Sequence, residues 1–230
     1  MATDSILDMI TDGRPAGAGV LHRGYYIGAS CNHAPLAPSA VGPRVINWLA
    51  HYMAPKGHVL VDDGFPGNLP TDYTPMLQYR LDQRILLGVE DFNSDWGVLG
   101  FSGQCIIDAL SGEPYSTITE QITNLGLMQQ LVDNAFFEEI CSSVGRSVPY
   151  LYDSLGADQE EFDEKWTAYA IAYKAAMIAE GATPIPLWKN WQPANTNVPP
   201  FNELGDYHPS NDSHKDAAQI VLSYVEQVYS

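Results

Sequence analysis

Short apolar runs alternate along this chain with longer stretches whose apolar residues step by three and four. The first pattern predicts a buried strand and the second one face of a helix. The short runs are Gly24 to Gly28, His58 to Val61, Ile85 to Val89, Val148 to Tyr152 and Thr183 to Trp188. After the first, Val41, Val45, Trp48/Leu49 and Tyr52 mark a helix that stops near Pro55-Lys56-Gly57, with glycine as the terminating residue. A modest helix over Tyr73 to Leu81 leads to the third run. Thr117-Ile118-Thr119-Glu120 is a capping-box pattern, and it predicts a helix from there to about Cys141, with a break near Gly126. Asp158-Gln159-Glu160-Glu161 opens another, striped by Phe162, Trp166, Tyr169/Ala170, Tyr173 and Met177 and ending at Gly181. A last helix carries Ala217, Val221, Tyr224 and Val228 on one face. The segment 96–115, rich in Gly and Ser, fits neither pattern.

Strand and helix in alternation imply parallel strands, right-handed crossovers and helices on both faces. The expectation is an α/β fold on a flavodoxin-like, doubly wound, five-stranded parallel sheet. Residues 1–19 read as an arm or short helix ending in a Gly- and Pro-containing link, and 20–230 as a single domain. In such sheets, sites gather beyond the carboxyl ends of the strands.

The net charge of −17 repels nucleic acid and anionic membrane, so neither is an expected partner. No apolar run approaches the roughly 20 residues that a spanning helix needs. The start of the chain carries Asp4, Asp8 and Asp12 and lacks the basic-then-apolar pattern of a secretory signal. A cytoplasmic location is the expectation, or none is assigned. Cys31, Cys105 and Cys141 are odd in number and fit no zinc or disulfide spacing. Cys31 is read as a small buried thiol, with a rival nucleophile as the alternative.

The candidate chemistry begins at Gly24-Tyr25-Tyr26-Ile27-Gly28-Ala29-Ser30-Cys31-Asn32-His33. An apolar strand there ends in small residues and a serine at a turn, the way many α/β hydrolytic enzymes present a nucleophile. Acyl transfer also needs a base and N–H donors for the oxyanion. His208, fixed by Pro209 just before the last helix, is the base candidate, and Asp206 the group that orients it. Donor candidates are the Ser30 amide, Gly67 (or Gly64) after the second strand and Asn93 after the third. His33 is read as a loop-lining residue. His208, His214, Asp206 and Asp212 could in principle ligate a metal, as could Asp62-Asp63, but no spacing fixes either set and none is expected. Trp188, Trp191, Phe201 and Tyr207 crowd the loop before His208 and suit stacking on sugar rings, packing of acyl chains or ordinary lid packing.

Tyr26-Ile27-Gly28-Ala29-Ser30 at one end and Asp206-Tyr207-His208-Pro209-Ser210, followed by Ala217-Ala218-Gln219-Ile220-Val221, at the other resemble the nucleophile and closing blocks of the SGNH (GDSL-like) hydrolases. The chain reads as a divergent member: Gly28-Ala29-Ser30 stands where the family usually has Gly-Asp-Ser, and the Gly-x-Asn-Asp block is absent. The family's aspartate usually lies three residues before its histidine; here that position is Gly205, with Glu203 as a fallback acid. The resemblance implies a three-layer α/β/α sandwich and a serine hydrolase cleaving an acetyl or acyl ester of a carbohydrate or lipid, with no cofactor. The alternative is a degraded member of the fold that serves as a binding or assembly module. Neither reading predicts an oligomeric state.

Overall fold

The first apolar run becomes β1 (His22–Ile27), an inner strand of a sheet ordered β2-β1-β3-β4-β5. These features come from a computed structural model that describes residues 22–27, 45–56, 58–62, 70–87, 94–100, 118–139, 159–187 and 211–229. The other strands are β2 (His58–Asp62), β3 (Ser94–Leu99), β4 (Val132–Glu138) and β5 (Thr183–Ile185). Every pairing is parallel. Between and after them lie α1 (Val45–Met53), α2 (Pro70–Leu86), α3 (Ile118–Gln129), α4 (Gln159–Ala179) and α5 (Asn211–Tyr229). The α/β expectation, a parallel sheet with helices, holds. The chain leaves β1 for β2 on one side and later returns to β3 on the other, which makes β1 the strand where the winding reverses.

Strand side chains alternate between faces, and both faces are apolar, as a covered parallel sheet requires. Trp96, Val98, Phe136 and Ile185 join Val45, Leu49 and Met53 of α1 and Ala217, Ala218, Val221 and Val225 of α5 in one cluster. Leu99 and Phe137, partners in register, occupy the opposite face. There Phe137 meets Tyr173 of α4 edge to face, ring centroids 5.6 Å apart. On that side α2 packs on α3, and α3 on α4. Gly24 is paired with Trp96 across β1 and β3. A Cβ on Gly24 would overlap the fully buried indole, so a strand position that would ordinarily favour a larger residue holds glycine.

Helix ends follow local chemistry. α4 closes with Gly181 at φ +89°. The Gly181 amide donates to the Ile178 carbonyl (2.9 Å) and the Ala182 amide to that of Met177 (3.1 Å), the double bond of a Schellman cap. Pro184 is tolerated in β5 because β5 is an edge strand.

Several sequence expectations give way. Ile85 to Val89 does not form the third strand. α2 runs on to Leu86, and Ile85, Leu86 and Leu87 lie exposed at its end (60%, 77% and 41%). The helix buries Tyr73, Leu77 and Leu81 instead, a spacing of four that carries its real face. The third strand is Ser94–Leu99, which begins just before the segment that fitted neither pattern. The helix expected to reach Cys141 stops at Gln129, and β4 takes up Val132–Glu138. The four-residue step from Val132 to Phe136 suits a helix face, but it also suits one face of a strand, and burial between β3 and β5 decided for the strand. The strand candidate Val148 to Tyr152 lies outside the described residues. In α5, Val225 is buried, whereas Val228 is exposed.

Candidate functional site at the carboxyl edge of the sheet

The candidate residues all sit in connections, so the first question is which sheet edge those connections leave from. β1 ends at Ile27, three residues before Ser30. Ile27 is level with Leu99, the last residue of β3, and Tyr26 with Asp62, the last of β2. The three strands therefore finish at one rim.

The direction of α5 follows from its contacts with α1. Lys215 Nζ lies 5.4 Å from the centroid of the Trp48 ring. One turn further along both helices, Gln219 Nε2 donates to Tyr52 Oη at 3.4 Å. Beyond that, Lys56 forms an ion pair with Glu226. The two helices thus run side by side in the same direction. α1 continues through a short 3-10 turn, Ala54–Lys56, and β2 starts at His58, so its carboxyl end is at the amino edge of the sheet. α5 must accordingly start at the carboxyl edge, with Asn211 three residues after His208.

Ser30, Gly64, Gly67, Asn93, Glu203, Asp206 and His208 themselves lie outside the described residues, as do Cys31, His33, Asp212 as a side chain and the aromatic residues from Trp188 to Tyr207. One expectation among them changes on chain position alone. Asn93 was to follow the third strand, but β3 begins at Ser94, so Asn93 precedes it. The residues that follow the third strand are Gly100 and the stretch from Phe101 to Gln104. Gly67 retains its expected place after the second strand, which ends at Asp62.

Two buried polar residues at this edge stand out. Glu138, the last residue of β4, is fully buried. It is level with Ile185, on the side of the sheet that α1 and α5 cover. His214, in the first turn of α5, is buried as well. Sequence reasoning missed Glu138 because it placed Phe136-Phe137-Glu138-Glu139 in a helix. An acidic pair directly after an apolar pair is the signal that was there: the second, Glu139, holds Lys174 of α4 at 2.5 Å, while the first turns inward. Among the described residues no group of three His, Cys, Asp or Glu side chains is placed to hold a metal ion, and no helix is long and apolar enough to cross a membrane.

No family model matches this chain, and no curated relative does. Solved structures do. The acetylxylan esterase Axe2 from Geobacillus stearothermophilus superposes with a TM-score of 0.58 at 16% identity, covering 90% of this chain and 95% of its own. A catalytic variant of it, with alanine in place of a serine, gives 0.61 at 14% identity over the same shares. The acetyl xylan esterase AlAXEase gives 0.57 at 15% identity, covering 88% of this chain and 99% of that one. At such identities the likeness is one of fold: the chain shares the parallel α/β fold of these esterases at low sequence identity.

Proposed function

We propose that this protein is a serine esterase that removes acetyl groups from a carbohydrate. The observation that carries the reading is the shared rim: β1 runs out toward Ser30, and α5 begins just after His208, at the same edge of the sheet. Three residues of chain reach at most about 10 Å, so each candidate is tethered within that reach of an element that ends or begins at this rim. The likeness in fold to acetylxylan esterases, in which alanine variants of a serine, an aspartate and a histidine are catalytic mutants, supports both the residue types and the acetyl group.

In this reading Ser30 Oγ attacks the ester carbonyl while His208 takes its proton. The resulting oxyanion is held by the Ser30 and Gly67 amides. His208 returns the proton to the leaving sugar hydroxyl, and a water activated by the same imidazole then releases acetate from the acyl-enzyme. Asp206 holds the imidazole in orientation. A side-chain donor for the oxyanion is assigned to the stretch after β3, where Ser102 and Gln104 carry hydrogen-bonding groups. Asn93, which precedes β3 in the chain, is not used as a donor.

The test compares wild type with Ser30→Ala on p-nitrophenyl acetate and on acetylated xylo-oligosaccharide. The expected loss is at least about 10³-fold in kcat, since removing a nucleophile leaves only binding and oxyanion stabilisation. Equal rates for the two proteins would end the proposal. A fluorophosphonate probe that labels wild type but not the variant separates an esterase from a non-catalytic binding module.

A further inference from the structure

The buried face of α3 reads Gln121, Asn124, Leu125 and Met128. Asparagine is a poor helix former, and a fully buried amide is costly unless its groups are hydrogen-bonded. Here both ends of the amide are used. Asn124 Nδ2 donates to the carbonyl of Pro70, the first residue of α2, at 2.7 Å. Asn124 Oδ1 accepts from Thr74 Oγ1 at 2.5 Å, and the same hydroxyl lies 3.4 Å from the Pro70 carbonyl. Leucine would fill this space with better helix propensity. What leucine would lose is the directed tie between α3 and the start of α2, 54 residues away in the chain.

The course of α2 sets where this tie lies. At the other end of the helix, Arg84 Nη1 donates to the Gln130 carbonyl. The neighbouring Leu131 carbonyl accepts from the amide of Ser94, the first residue of β3, so that end is at the amino edge of the sheet. α2 and α3 run in the same direction, Thr74 beside Asn124 and Arg84 beside Gln130. Pro70 accordingly stands toward the carboxyl edge, where β2 ends at Asp62, level with Tyr26. The connection from β2 to α2 thus has two anchors at this rim. Asp62 is held by pairing with β1, and Pro70 by Asn124. Gly67 is five residues from the first anchor and three from the second, so the second limits its reach more closely. The fixed φ of proline makes that anchor stiff.

We infer that Asn124 is a positioning residue for the proposed acyl transfer: through the Pro70 carbonyl it fixes where the Gly67 amide stands when charge develops on the ester oxygen. This rests on the esterase reading and adds to it a residue of α3. A donor to the oxyanion acts in the transition state and hardly in the ground state, so displacing it lowers kcat and leaves KM nearly unchanged. A side chain that only fills space alters the fraction of folded molecules and not the rate of each.

Steady-state kinetics on p-nitrophenyl acetate, at a temperature where every variant is folded, tests this. Asn124→Leu is expected to lower kcat by about 10- to 100-fold, a partial displacement of one oxyanion donor, with KM within about twofold. Thr74→Val, which leaves Asn124 its bond to Pro70 but removes the hydroxyl that orients the amide, should lose about threefold, and Thr74→Ser should restore the wild-type rate. Leu49→Ala, a larger destabilisation on the other side of the sheet, should keep the wild-type kcat, as should Gln129→Met, which removes a polar tie at the amino-edge end of α3. Hydrogen exchange supplies a readout that needs no activity. In Asn124→Leu the peptide 70–78 should exchange about tenfold faster than in wild type, beyond any rise in the β3 peptide 94–99. A folded Asn124→Leu with the wild-type kcat overturns the inference. So does a loss in kcat that Leu49→Ala matches, or exchange that rises no more in 70–78 than in β3. If Asn124→Leu does not fold, Thr74→Val against Thr74→Ser decides by the same readouts. A wild type no faster than Ser30→Ala ends the esterase reading instead, and the exchange result alone then decides whether Asn124 holds the start of α2.

Discussion

On one side of the sheet, α1 and α5 meet through Leu49, Met53, Ala217, Ala218, Val221 and Val225, all buried and all apolar. On the other side, α2 and α3 meet around a buried asparagine. Asn124 Nδ2 donates to the Pro70 carbonyl at 2.7 Å, and Thr74 Oγ1 donates to Asn124 Oδ1 at 2.5 Å. Polar ties recur at helix ends on that side. Arg84 Nη1 donates to the Gln130 carbonyl (2.6 Å), and Gln129 Nε2 to the Glu180 carbonyl at the close of α4 (2.6 Å). The buried part of the first side is held by shape and area, which are non-directional, and its polar contacts, Gln219 with Tyr52 and Lys56 with Glu226, are exposed. The second is pinned by directed hydrogen bonds, two of them to carbonyls at the carboxyl ends of α3 and α4, where the last carbonyls lack partners in their own helices. The apolar side also sets the parallel course of α1 and α5, and with it the edge from which the candidate catalytic residues emerge.

This contrast is open to direct attack. Leu49→Ala removes a fully buried side chain and is expected to cost about 3 to 4 kcal/mol, read as a shift in urea midpoint, whereas Leu49→Met should cost under about 1.5 kcal/mol. A methionine variant as damaged as the alanine one would show that this side, too, depends on directed geometry. Asn124→Leu keeps the volume but removes the donor to Pro70, and is expected to cost about 2 kcal/mol. If it leaves the urea midpoint unchanged, the polar tie is incidental. Gly181→Ala forces a Cβ into the left-handed region and should cost about 1 kcal/mol, seen as a fall of a few degrees in Tm. Lys56→Met removes an ion pair whose side chains are 45% and 41% exposed. It should change stability by less than about 0.5 kcal/mol, and that little should vanish in high salt.

The neighbouring solved structures and this chain share the fold at 13% to 16% identity. Such a likeness transmits layers and strand order more securely than side chains, because many apolar residues of about the right size fill the same space.

The local features were legible in the residues themselves. The strand at Tyr25 to Ile27, the close of α4 at Gly181 and the stripe through Tyr173 and Met177 each show a residue pattern confined to a few turns or positions of chain, and each is where the sequence placed it. The candidates for nucleophile and base could be read only as residue types, Ser30 after the first strand and His208 before the last helix, and the ends that flank them in the chain share an edge. What the residues left open was the identity of apolar runs that suit either element. Ile85-Leu86-Leu87 closes a helix and Val132 to Glu138 makes a strand, and neither choice is written in its own pattern. Tertiary structure made it, because β4 gains partners on both edges and cover on both faces, a gain that depends on residues far away in sequence. The parallel course of α1 and α5 was decided the same way, by burial of Val45, Leu49 and Met53 against Ala217, Val221 and Val225, more than 150 residues away in the chain.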